Sequence, residues 1–93
     1  MMKSGTIAKN AAAAADGRKA LETAVLDLRK FNFAADYFVI ASGTSDVHVR
    51  AIADAVQEDL LKEGQRARRE SDTKSRWILL DYGDVVVHVF HEQ

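Results

Sequence analysis

The chain has 93 residues, 47% of them hydrophobic and 29% charged, with no cysteine and no proline. Thirteen basic residues against 14 acidic ones give a net charge of −1, which excludes the strongly basic profile of an autonomous nucleic-acid binder and the make-up of a disordered acidic chain. Without cysteine there is no disulfide framework, thiolate metal site or cysteine nucleophile, and the length suits one domain, residues 1–93, with one modest core.

Residues 1–22 form an alanine-rich region. It lacks the arginines of an organellar transit peptide and the leucine-rich centre of a signal peptide, and no run in the chain approaches the roughly 20 apolar residues of a membrane span. It reads as a helix over roughly Thr6 to Asp16, with Ser4 and Gly5 as starters and Gly17 as the stop. Alanine supplies propensity but little apolar area, so this helix must lean on the rest of the fold. From Thr23 to Leu28 two readings stay open. Leu21, Val25 and Leu28 fit one helix face, and the same run fits a strand. Tyr37-Phe38-Val39-Ile40, aromatic and β-branched between Asp36 and Ser42-Gly43, reads as a buried strand.

The plainest helix comes next. Thr44 or Ser45 caps it, Asp46 suits its positive end, and Val49, Ile52, Ala53, Val56 and Leu60 recur on one face. Lys62 falls in the last turn and Gly64 closes it. Gln65 to Arg76 is polar, a loop with room for a short edge strand. Trp77 to Asp81 and Val85 to His91 then read as two strands joined by a tight turn at Tyr82-Gly83-Asp84. The pattern gives an α/β (α+β) fold, a mixed β-sheet of four to five strands with two main helices.

The search for chemistry excludes more than it finds. Ser42, Ser45, His48, His88 and His91 supply triad residue types, but no nucleophile-elbow signature surrounds either serine. His88 and His91 are three apart on a strand and point to opposite faces, which suits no shared metal. Gly43-Thr44-Ser45 ends a strand and opens a helix, where phosphates bind, yet neither GxxxxGK[ST] nor GxGxxG is present and no carboxylate pair alternates on a neighbouring strand. Turn plus cap is the commoner role, and a nucleotide-binding or nucleotidyltransferase-like domain is the enzyme alternative. Arg66, Arg68 and Arg69 form a basic loop without interleaved aromatics, so it offers phosphate contact but no stacking platform.

The hairpin says most. Trp77, Leu79 and Asp81 share one face of their strand, and Ile78, Leu80 and Tyr82 share the other. Two helices cannot cover both faces of the sheet, so one stays open. An open face of Trp, Leu and Asp describes a docking patch for a partner or for a second copy as a homodimer.

Two blocks carry a family resemblance. Asp36 to Ile40, Gly43-Thr44-Ser45, His48-Val49 and Ala51 to Asp54 make the first, and Trp77 to Phe90 makes the second. Over about residues 18 to 92 the chain resembles the Iojap family, also called the ribosomal silencing factors. The resemblance implies a nucleotidyltransferase-like fold without that chemistry, no catalytic residue, no cofactor and no metal. It also implies that Thr23 to Leu28 is a strand. The function implied is binding of the large ribosomal subunit through the ribosomal protein L-fourteen, with steric block of subunit joining and repression of translation in a bacterial cytoplasm. The partner surface implied is Trp77, Leu79, Asp81, Tyr82, Gly83, Asp84 and His88, with Thr44, Ser45 and His48 as a second block. Arg66, Arg68 and Arg69 would reach nearby ribosomal RNA. Members usually continue past the hairpin with an aromatic and leucine-bearing segment that this chain lacks.

Overall fold

A computed structural model describes residues 2–92. Helix α1 (Ser4–Gly17) is longer at both ends than the alanine run predicts. Ser4 and Gly5 do not cap it. Lys3 is the N-cap and makes no side-chain bond there, while the Ser4 hydroxyl donates to Asp36 Oδ2 at 2.9 Å, pinning the helix start to the sheet. Gly17 is the last helical residue, one past the expected Asp16, but it does not make the closing turn. The helix closes on Lys19, which takes the left-handed conformation (φ 59°), with Lys19 N–H on the Asp16 carbonyl and Ala20 N–H on that of Ala15. This pairing satisfies the last carbonyls of a helix, and glycine usually makes it.

The contested stretch is strand β1 (Ala24–Asp27), because strand β2 (Tyr37–Gly43) lies beside it antiparallel and meets its hydrogen-bonding groups, with Val25 opposite Val39. β2 is buried only at alternate positions. Val39 and Ala41 are fully covered, whereas Phe38 and Ile40 point to a face without helices. Helix α2 (Asp46–Lys62) follows the expected plan. His48 N–H donates to Ser45 Oγ at 3.1 Å, so Ser45 is the cap. At the far end Gly64 (φ 81°) donates to the Leu61 carbonyl and Gln65 to that of Leu60, both at 2.9 Å.

Strand β3 (Arg68–Ser71) is the short edge, and β4 (Trp77–Asp81) and β5 (Val85–His91) form the hairpin with the expected bounds. Its turn closes with Tyr82 N–H on the Val85 carbonyl at 2.9 Å and with Gly83 at φ 88°. The five strands run in the order β1-β2-β5-β4-β3, antiparallel except for the central β2·β5 pair. Val39, Ala41, Ile78, Leu80, Val85, Val87 and Val89 join the inner faces of both helices in one core. From α1 that core takes Ile7 and four alanines, Ala8, Ala11, Ala14 and Ala15, so the helix backbone lies close to its neighbours. Both helices therefore sit on one side of the sheet, and the other side stays open.

Candidate functional site

Register fixes what the open side presents. One row across the sheet runs Leu26, Phe38, Val86, Asp81, Arg68, and the next runs Ile40, His88, Leu79, Glu70. A third, at the far end, pairs Phe90 with Trp77. Each of the first two rows goes from apolar in the sheet centre to charged on the β3 edge. Trp77, Leu79, Asp81 and His88, expected together on a partner surface, are thus on one face. Trp77 lies at one end of β4 and Asp81 at the other.

His88 sits among aromatic rings. Phe38 meets it edge-on at 5.0 Å between centroids, and Phe90 lies parallel to it at 5.9 Å. Its Nε2 is buried and has no hydrogen-bond partner. Burial holds the imidazole below its usual pKa of 6.5, since the charged form would lose hydration. Beside it lies a groove of about 400 Å³, bounded by Phe33, Ala35, Phe38, Leu79, Asp81 and His88, with Glu70 also on its wall. Phe33 hangs over this groove, 61% exposed, with Phe31 6.0 Å away.

Asp81 serves the hairpin as well as the surface. Its Oδ1 accepts from Gly83 N–H at 2.8 Å, and its Oδ2 is 3.5 Å from the Arg68 guanidinium. The three loop arginines do not form one patch. Arg68 turns to the open face, whereas Arg69 reaches the helical side and bonds Asp54 at 2.7 Å and Gln57 at 2.9 Å. Arg66, before β3, is exposed. Tyr82 also faces the helical side, where it packs on the core. Its buried hydroxyl has no partner, and burial pushes its pKa up to about 12. Gly83 and Asp84 are exposed at the turn, and the Asp84 carbonyl accepts from the Asp36 and Tyr37 N–H groups.

Thr44, Ser45 and His48 lie where β2 leaves the sheet, and their polar groups are taken up there. Thr44 N–H donates to His48 Nδ1 at 2.9 Å, so Nε2 carries the proton and donates to the Arg18 carbonyl at 2.8 Å. This ties the α2 start to the α1 end. Gly43 is needed by close approach, because a Cβ there would stand 3.0 Å from both the Val49 nitrogen and its Cγ2. The Thr44 N–H, a donor a phosphate would use, is thus engaged by His48, and the Ser45 oxygen serves as the helix cap.

The rest of the face escaped the sequence reading. Val86 and Phe90 join Trp77 and Leu79 through the hairpin, and Phe38 and Ile40 join them only because β2 pairs with β5 in parallel. Their alternation along each strand was visible, but which side each set shared was not. Glu70 and Phe33 carried no signal.

A small α+β protein with one bare, aromatic sheet face and no assembled catalytic group among the described residues has the form of a binding module. The family model described as "Ribosomal silencing factor during starvation" matches residues 2–93. Ribosomal silencing factor RsfS of Bacillus subtilis is 41% identical over 92 residues, covering 98% of this chain and 78% of its own. A crystal structure of a Chromobacterium violaceum protein superposes with a TM-score of 0.91 at 33% identity, over 97% of this chain and 76% of that one. One from Bacillus halodurans gives 0.86 at 34%, over 96% and 84%. The chain belongs to the ribosomal silencing factor family, a family of ribosome-associated regulators. No helix among the described residues is long and apolar enough to cross a membrane.

Proposed function

We propose that the open sheet face docks on the large ribosomal subunit through the ribosomal protein L-fourteen, blocks subunit joining and so represses translation in the cytoplasm. The observation that carries this reading is the adjacent pairs Trp77–Phe90 and Leu79–His88 on the open face, an aromatic surface edged with carboxylates. Such a surface fits a basic protein partner, and steric exclusion needs no catalytic group. Trp77 is the anchor and Asp81 a charge partner at the rim. Arg66 and Arg68 are the loop arginines placed to reach RNA, while Arg69 is held by Asp54. A homodimer through the same face would compete with docking.

Co-sedimentation with purified large subunits tests the reading. Trp77→Ala is expected to weaken binding by about 2 kcal/mol or more, as loss of an aromatic anchor does. Glu58→Ala, an exposed change on the far side of α2, is the comparison. Equal losses for the two would remove the face from the proposal.

A further inference from the structure

We infer that the groove under Phe33 receives a single arginine side chain from the docked protein, a deepening that rests on the docking reading above. The groove has the parts a guanidinium requires. Phe33, Phe38 and Leu79 line it with apolar and aromatic surface on which a flat cation and its methylene stem can lie. Its outer wall carries Glu70 and Asp81, one on β3 and one on β4. The Glu70 carboxylate has no hydrogen-bond or ion-pair partner among the described residues. At the other side stands the His88 ring, which adds aromatic surface while its Nε2 stays shielded from solvent.

Register gives the spacing. Glu70, Leu79 and His88 are consecutive positions of one row, so Glu70 and His88 are separated by two strand spacings, about 10 Å. A guanidinium above Leu79 lies between them, with its in-plane N–H donors directed at the Glu70 carboxylate and its face against the rings. Lysine fits less well, because its compact ammonium neither stacks on rings nor meets a carboxylate through two parallel N–H groups. The chain's own Arg68 already samples this edge, 3.5 Å from Asp81 with its side chain 79% exposed. Asp81 thus already faces a guanidinium at the rim, while Glu70 is left to meet one from a partner.

Two measurements separate this inference from the reading beneath it. The first titrates the free protein with N-acetyl-arginine methylamide, and with the norleucine analogue as the uncharged comparison, by NMR. The His88 ring and the Glu70 and Leu79 amides are expected to shift saturably with the arginine compound alone, and Glu70→Gln to abolish the effect. The second compares large-subunit binding of Glu70→Arg with the wild type, after equal melting temperatures establish that the variant folds. A tenfold or greater loss is expected. Arginine binding without large-subunit binding would support the groove and overturn docking. Subunit binding unchanged by Glu70→Arg, with no saturable shift at His88, would overturn the groove and leave docking in place.

Discussion

His88 places a titratable ring among Phe38, Phe90 and Leu79, and the consequence is a pH dependence of folding. In the unfolded chain the imidazole gains its proton near pH 6.5, whereas in the folded chain burial delays protonation to lower pH. Over that interval the unfolded state binds more protons, so stability falls as pH falls through 6.5 toward the folded value. Urea midpoints measured across this range should decline for the wild type, and His88→Phe should make the decline shallower. An identical slope in the variant would assign the effect to other groups. A second single-residue outcome concerns Gly17, which is helical, has no positive φ and would meet nothing within 4 Å on gaining a Cβ. Gly17→Ala should raise stability by about 0.5–1 kcal/mol, read from the same urea curves.

Elements differ in how far their own residues announce them. β4 and β5 were legible to the residue, because alternation, β-branched content and a turn glycine agree locally. So was the capped and periodic α2. β1 was not, since four residues satisfy either period until β2 lies beside them. The α1 end was legible to within a residue, but its closing turn was not, because Lys19 occupies a left-handed position that composition assigns to glycine. Trp77, Leu79 and Asp81 could be grouped from one strand alone. Phe38 and Phe33 reach the same site from another part of the chain, and only long-range pairing brings them there. The α1 helix does lean on the rest of the fold: its small side chains let it lie close, which makes the contact intolerant of volume. Ala11→Leu or Ala15→Leu, both fully buried, should cost about 1–3 kcal/mol in thermal or urea unfolding. Ala13→Leu, on the exposed side, should change little. The Gly43 turn makes the same point: Gly43→Ala should destabilise by about 1–3 kcal/mol, because the obstructing Val49 nitrogen is backbone.

For the whole molecule, division of labour between faces is the main property. The helical side is closed, with no buried polar or charged residue in its core among the described residues, while the open side keeps Phe90 38% exposed beside Trp77. A docking surface edged by Glu70 and Asp81 should bind a basic partner more weakly as salt rises, chiefly through slower association. Added salt should therefore reduce co-sedimentation of the wild type with large subunits. Trp77→Ala should keep a comparable salt slope at its lower affinity. A wild-type affinity indifferent to salt would place the energy in apolar contact alone.

The position of β5 between β2 and β4 also governs when the surface exists during synthesis. It is the seventh element in chain order, yet it occupies the middle of the sheet. Without β5 the pairings that remain are β1 with β2 and β3 with β4, two ribbons that share no hydrogen bonds. Neither ribbon carries the aromatic row, and the long-range closure that joins them is the slow kind of step in folding. The aromatic face is therefore complete only once β5 has paired with β2 on one side and β4 on the other.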